Sequence, residues 1–592
     1  RIPAERFSGD DPRGRTAPLM ERPWLRHYPA GVPADVALRE VTLADLFVET
    51  ARAHAERDAL YFLNRSTSFG DLARDVDALA ASLSQLGVAP RSRVAIQMPN
   101  LPQTVIAFLA VLRLGAVPVM TNPLYTPREI EHQWNDAGCC AAVVMDYLFE
   151  QKLASLRDRL PIEHFVIAQI PDYLRFPLRQ LARLKLRRAD PPLIAGLPPG
   201  SGIHVFTDLV ARGGSPPPVA LDLDAPALIQ YTGGTTGVAK GAVLTQRNLT
   251  ANVQQLAAWF PALRAGEDVF LAALPFFHIF GITAVLGLAC HTGCAMALVP
   301  DPRDTASVVE ALEKRRVTLM LAVPAMYGAI LRRAKDRARN LRSIKYAVSG
   351  SAPLPATVQA EFHELTGATV VEGYGLTETS PVTHCNPIGG VVKNGTIGVP
   401  IPNTEVRLVD PEDVTRDADP GQPGEIVVRG PQVMQGYWNR PEESAASLIG
   451  DGWLRTGDLG SMDADGYFRI VGRQKDMIKA SGFNVYPDEV DHVLSDHPAV
   501  AESCTIGIPD EHRGETVKSF VVRAPGSPVT AEELLAHCRE HLAAYKVPRE
   551  IEFREDLPRS AALKLLRRQL RAEELARRGA GASDGSQPGG DS

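Results

Sequence analysis

Cysteine is scarce in this chain: Cys139, Cys140, Cys290, Cys294, Cys385, Cys504 and Cys538 are spread through 592 residues. Thiols so sparse form no dense disulfide framework and suit a reducing compartment, which makes the cytoplasm the expected location. Cys290, His291 and Cys294 have partial metal-ligand spacing, but no second cluster completes a zinc site, so buried thiols are the expected state. Aromatic residues are also few, at 6%, and offer little for stacking nucleic-acid bases. With a net charge of −6 the surface as a whole is no trap for a polyanion, and no nucleic-acid partner is expected. A long unbroken apolar run is missing too. Residues 269–300 contain no Lys, Arg, Asp or Glu, yet Pro275, His278, Gly281, His291, Thr292 and Gly293 interrupt them. Within that stretch residues 279–290 read as a buried helix, too short to span a bilayer. The opening RIPAERFSGDDPRGR has no apolar signal core, and residues 1–20 are expected to be flexible.

What is present is enough apolar material, 45% of the chain, to bury several cores. Between about residues 45 and 380 short apolar runs alternate with longer helical stretches, as in RVAIQMPN, LPQTVIAFLAVLRLG and AVPVMTN. That alternation is a βαβ signature, and strands with few polar positions point to sheets covered on both faces. From about Gly398 a β-rich stretch follows, with TEVRLVD and GEIVVRG on either side of the turn PGQPGE. The fold class expected is α/β: a large N-terminal domain of two α/β subdomains plus a β-rich subdomain, over residues 21–473, and a small mobile α+β C-terminal domain over 474–576. In the small domain, helices are expected near Pro487 and Thr530, the second with Thr530 and Glu533 as a capping box. Residues 577–592, RGAGASDGSQPGGDS after the first position, lack large apolar side chains and are expected to be a disordered tail.

The strongest local signal is YTGGTTGVAKG at residues 231–241, with four glycines, three threonines and one lysine after the apolar run ALIQ. Glycines let backbone N–H groups approach phosphate oxygens, the hydroxyls of Thr232, Thr235 and Thr236 add donors, and Lys240 adds charge. The GKS or GKT ending of a Walker loop is absent. Further on, EGYGLTET places the aromatic face of Tyr374 and the polar groups of Thr377 and Glu378 at a strand exit, where α/β folds bind ligands. SGSAPL forms a tight loop through Gly350, Ser351, Ala352 and Pro353, and Asp458 in TGDL is an acceptor-only side chain suited to a diol.

These strings resemble the adenylate-forming superfamily of acyl-CoA synthetases, luciferases and peptide adenylation domains. The variant with TGG running into AVLTQRN looks most like the long-chain fatty acid–CoA ligases. The resemblance continues in order from RPWLRHYPAGVP through NPLYTPREIEHQ, LPFFHIFG, GEIVVRGPQVMQGYW, GWLRTGDL and GRQKDMIKASGFNVYPDEV to AAYKVPR. It implies ATP, Mg²⁺ and coenzyme A as cofactor and co-substrates, with a fatty acid as the substrate. By resemblance, nucleotide binding falls to Thr232, Gly233, Gly234, Thr235, Thr236, Gly237, Lys240, the SGSAPL loop, Glu372, Gly373, Tyr374, Gly375, Thr377, Asp458 and Arg473. Glu378 is implied as the metal ligand, and Lys564, Thr235 and Glu378 as the catalytic residues. His278 is implied beside the acyl and pantetheine channels, Lys475 at the hinge between domains, and Gly482 at the pantetheine channel. Two positions depart from the pattern: Gln246 in LTQRN stands where the resembled ligases commonly have histidine, and Leu563 stands where the family has glycine before the lysine. Leucine resists the positive φ that glycine allows, so the loop delivering Lys564 is expected to differ.

Two other readings fit the same strings: adenylation with a carrier-protein acceptor or an aryl acid, and a catalytically weak acyl or nucleotide binder at a membrane. The second draws on an insertion at about residues 170–220, where Arg175, Arg179, Arg183, Lys185, Arg187 and Arg188 interleave with Leu174, Phe176, Leu178, Leu181, Leu184 and Leu186. Pro177 prevents one continuous helix there. Such a segment either rests on anionic lipid or forms a solvated helix packed on the large domain.

Overall fold

The computed structural model describes residues 22–196, 200–220, 222–232, 239–337, 339–419, 421–480, 483–510, 514–560 and 565–583. Of the residues singled out above, Gly233, Gly234, Thr235, Thr236, Gly237, Gly482, Leu563 and Lys564 lie outside these, as do residues 1–20 and 584–592.

Among the described residues two large, mainly parallel sheets form the bulk of the molecule. The first has eight strands, centred on Val117–Met120, Arg93–Gln97 and Cys139–Met145, and its Pro226–Thr232 strand pairs antiparallel with Lys240–Thr245. The second has nine, and runs through Val370–Gly375, Tyr346–Ser349, Leu319–Ala322 and Val269–Ala272, all parallel neighbours. Strands such as Val117–Met120 and Leu319–Ala322 are buried at every position, which explains why they carry no alternation of polar residues. The helix Pro102–Arg113 is buried on all sides except its last residue, and belongs to the apolar cluster shared by the two sheets. Residues 281–290 are likewise buried, but the chain winds there as a π-helix over Phe280–Gly287 before the short α-helix Leu288–Thr292.

The β-rich part is an antiparallel sheet of Glu405–Val409, Gly424–Arg429, Trp453–Met462 and Leu448–Ile449, to which Phe468–Arg473 adds a last strand. The next sheet begins at Ile478–Ala480 and is organised on the long hairpin Val500–Asp510 and Gly514–Arg523. Helices Pro487–Ser495 and Ala531–His541 pack around it, the second capped reciprocally by Thr530 and Glu533. The tail differs from expectation. Helix Arg567–Ser583 runs through residues 577–583, because Arg577 and Arg578 pair back one turn to Glu574 and extend it. All five tryptophans fall in the large domain: Trp24, Trp134, Trp259 and Trp453 are buried and Trp438 is half-buried.

The small domain has a charged core of its own. Lys518, 2% exposed, lies 2.8 Å from Glu552 and 3.0 Å from Glu574, and the Glu574 side chain is 1% exposed. Removing Lys518 leaves buried Glu574 with only the more exposed Arg577 and Arg578 as counter-charges. Lys518→Ala is therefore expected to destabilise this domain by about 1–3 kcal/mol. Hydrogen exchange along Gly514–Arg523 checks this, and exchange at the native rate would refute it.

Candidate active site

The site lies where the strands of the second sheet end. The strand Val370–Gly375 delivers Tyr374, and the turn Thr377–Thr379 that follows delivers Glu378. This exit is tight. A Cβ on Gly375 would fall 1.8 Å from the carbonyl oxygen of Pro381, so only glycine fits. The neighbouring strand Tyr346–Ser349 leads into the loop of Gly350, Ser351, Ala352 and Pro353. Ser351 there adopts a φ of 75°, and Ser351, Ala352 and Pro353 are exposed. Non-glycine residues seldom hold that conformation without surrounding support.

Glu372 supplies support. Its carboxylate accepts from the backbone N–H of Leu354 and of Gly395, each at 3.2 Å, and so ties the loop to its strand and to a third segment. Burial pushes this carboxyl up to about 7, against the pull of the two N–H donors and Arg469.

Asp458 is 3% exposed, and each of its carboxylate oxygens has a partner. Tyr374 Oη donates to Oδ2 at 2.5 Å, and Arg473 Nε forms an ion pair with Oδ1 at 2.9 Å. Asp458 and Arg473 are cross-strand partners in the β-rich sheet, which accounts for their meeting. The charge of Asp458 raises the Arg473 guanidinium, and burial followed by Asp458 raises the Tyr374 hydroxyl well above its usual range. Each Asp458 oxygen keeps a second lone pair for a ligand hydroxyl. Lys475 follows in the turn Gln474–Asp476, and burial, then the neighbouring Arg473, lower its ammonium, while Asp476, Asp458 and Glu378 pull the other way.

Thr232 and Lys240 flank residues 233–238 as paired positions of two antiparallel strands, with Thr232 Oγ1 3.4 Å from the Lys240 carbonyl. Lys240 Nζ stands 5.4 Å from the ring centroid of Tyr437 and 4.0 Å from Glu443 Oε1. Tyr437 was not among the residues expected at the site. Its Oη donates to Glu378 Oε1 at 2.8 Å, and Met434 N donates to the Glu378 carbonyl at the same distance. Asp136 was missed as well. It accepts from Tyr231 Oη at 2.6 Å and lies 3.3 Å from Arg440, and its carbonyl accepts from Trp438 Nε1 at 3.0 Å. The only sequence signal for Tyr437 was its place in the GYW of the GEIVVRGPQVMQGYW string; Asp136 had none.

Behind this polar front is an apolar cavity of about 70 Å³, walled by Leu256, Phe260, Ile279, Phe280, Ala284 and Leu288. Gly350, Tyr374, Gly375 and Thr377 line its polar end, and His278 borders it, its Nδ1 accepting from Phe280 N at 3.3 Å. A second cleft, about 400 Å³, lies between Leu124 and Arg303 of the large domain and residues 556–560, which lead toward Lys564. The structure thus gathers Thr232, Lys240, Gly350, Ser351, Tyr374, Thr377, Glu378, Asp458, Arg473 and Lys475 around one front, with Glu372 behind the loop.

An acid raised by burial holds its proton in the folded chain to higher pH than in the unfolded one. The contribution of Glu372 is full below about pH 4.5 and is lost as pH rises through about 7. The loss should approach about 3 kcal/mol by pH 8. Glu372→Gln is expected to remove this slope in denaturant unfolding measured across that range, and an unchanged slope would refute it.

The family model for AMP-binding enzyme matches residues 47–438, and that for the AMP-binding enzyme C-terminal domain matches 489–564. A long-chain-fatty-acid–CoA ligase of Bacillus subtilis is 40% identical over 560 residues, covering 94% of this chain and 98% of its own. One of Yersinia pestis is 41% identical over 562 residues, covering 94% and 99%. Among solved structures, an anthranilate CoA ligase in complex with anthranoyl-AMP superposes with a TM-score of 0.80 at 28% identity, covering 91% of this chain and 98% of that one. Family match, near-complete relatives and shared architecture together place this chain in the AMP-binding enzyme family.

Proposed function

We propose that the chain is an AMP-forming ligase that activates a fatty acid with ATP and passes the acyl group to coenzyme A. The observation that carries this reading is the 40% identity to a long-chain-fatty-acid–CoA ligase over nearly the whole of both chains. An apolar cavity whose polar end borders Tyr374 and Thr377 supports it, because an acyl chain needs the one and a nucleotide the other. At about 70 Å³ the cavity is small beside the roughly 300–1,000 Å³ of typical ligand sites, so a long chain enters only as lining side chains move.

In the first half-reaction a carboxylate oxygen attacks the α-phosphorus of ATP and the bond to pyrophosphate breaks. In the second, the coenzyme A sulfur attacks the acyl carbon and AMP leaves. No covalent intermediate on the enzyme is required, so the chain's work is to position groups and offset charge. In this reading Tyr374 and the Gly350 loop border the adenine, and Asp458 accepts the ribose hydroxyls with Arg473 balancing its charge. Thr232, residues 233–237 and Lys240 hold the phosphates, and Lys564 bridges the acid and the α-phosphate. His278 and Gly482 line the acyl and pantetheine path, and Lys475 marks the pivot of the small domain.

Mg²⁺ fits as an ion that arrives with ATP. Among the described residues no three His, Cys, Asp or Glu side chains gather into a protein-only metal site. Mg²⁺ is usually satisfied by one carboxylate with phosphate oxygens and water, and Glu378 supplies that carboxylate. Bound there, the ion would spread the charge of the departing pyrophosphate.

Pyrophosphate release and acyl-CoA formation, followed with a series of fatty acids with and without coenzyme A, test the proposal. Turnover abolished by Lys564→Ala is the expected result. Transfer to a carrier protein but not to coenzyme A would replace the acceptor. Absent turnover that appears in Leu563→Gly would overturn the native chain's activity and favour a binder. Tyr437→Phe removes the hydroxyl that orients Glu378 and is expected to raise the half-saturating Mg·ATP concentration about 10-fold, with little change in the KM for the acid. Initial rates over a range of Mg·ATP check this, and unchanged saturation would confine Tyr437 to a structural part.

A further inference from the structure

Among the described residues nine large hydrophobic side chains are exposed, and four of them, Phe176, Leu178, Leu181 and Leu184, fall within nine consecutive positions. Phe176 is 83% exposed. The helix Leu178–Arg187 buries none of its residues. At 100° per residue, Ala182, Leu186, Arg179 and Arg183 occupy one arc, and these are the half-buried ones. Arg179 and Arg183 each lie 3.8 Å from Asp172, whose side chain is 5% exposed, and so fasten the helix to the domain. The opposite arc presents Leu178, Leu181 and Leu184 with Lys185 and Arg188 between them, and all five are exposed.

No acidic residue lies between Asp172 and Asp190, and among the described residues no ion pair joins Arg175, Lys185, Arg187 or Arg188 to a carboxylate. This positive, apolar face stands on a chain of net charge −6. A second copy of the chain docked symmetrically here would set cation against cation. A nucleic acid would satisfy the cations but not three leucines, and Phe176 is the one exposed aromatic among them. An anionic bilayer satisfies both, taking the leucines and Phe176 at the acyl boundary and the basic groups at the headgroups.

We propose that the exposed face of Leu178–Arg187, with Phe176, Arg175 and Arg188 flanking it, is a docking surface for an anionic lipid bilayer. The face is separate from Asp458 and Glu378, so failure of the docking leaves the reaction untouched, and failure of the reaction leaves the docking untouched.

The test is co-sedimentation of the full chain with phosphatidylcholine vesicles, with and without about 30% phosphatidylglycerol. The native chain should sediment with the anionic vesicles at low salt and release at about 0.5 M salt. Leu181→Ser with Leu184→Ser, and separately Lys185→Glu with Arg188→Glu, should each lower the bound fraction at least about 10-fold. Both pairs change exposed side chains, so the native unfolding midpoint and native turnover of a short, water-soluble acid are expected in both. If the leucine pair also lowers the midpoint, the charge-reversal pair decides. Native binding in both pairs, no preference of the native chain for anionic vesicles, or loss of self-association or RNA binding instead of lipid binding would overturn the proposal.

Discussion

A single buried carboxylate, Asp458, ties the nine-stranded sheet to the β-rich sheet at the front of the apolar cluster that the two share. One oxygen is taken by Tyr374 from the end of a strand in the nine-stranded sheet, and the other by Arg473, the last residue of the β-rich sheet. A carboxylate out of water is costly unless hydrogen bonds and a counter-charge compensate it. The compensation comes from residues 84 positions before it and 15 after it, so the position of Asp458 fixes both relative to each other. The turn Gln474–Asp476 starts one residue past that fixed point, so the chain leaves the β-rich sheet for the small domain from a position already tied to the strand Val370–Gly375.

The side of the site that carries Thr232, Lys240 and Glu378 is held by a different device. Residues 434–440 cross from one large sheet to the other: Gly436–Tyr437 adds a strand to the edge of the first sheet beside Lys240–Thr245, while Met434 and Tyr437 reach Glu378 beside the second. Asp136 anchors the same segment and also Tyr231, the residue that opens the glycine-rich string. The strap thereby sets the spacing between the loop residues Thr232 and Lys240 and the carboxylate of Glu378, a spacing that neither sheet determines alone.

Much of this was legible in the sequence because it is local. Apolar runs such as those of Arg93–Gln97 and Val117–Met120 read as buried strands, and the Thr530 and Glu533 pair reads as a helix start at a separation of three residues. Ordered strings placed Tyr374, Glu378, Asp458 and Arg473 at one site. The partnerships were not legible. The Tyr437 bond to Glu378 spans 59 residues and the Tyr231 bond to Asp136 spans 95, and only the folded topology brings them within reach. That Tyr374 uses its hydroxyl as well as its ring is of the same kind. In the tail, glycine, alanine and serine composition argued against order, but side-chain pairs to Glu574 carry the helix on to residue 583.

The distribution of tryptophan has an optical consequence. Trp24, Trp134, Trp259, Trp438 and Trp453 all precede the turn at Gln474, so the tryptophan fluorescence of the chain is a property of the large domain alone. Residues 478–583 carry only tyrosine and phenylalanine as fluorophores, and the small domain is dark at tryptophan wavelengths. A fluorophore placed there that absorbs at tryptophan emission wavelengths would draw on donors in the large domain alone, and the distance between the two bodies becomes a quantity that light can read.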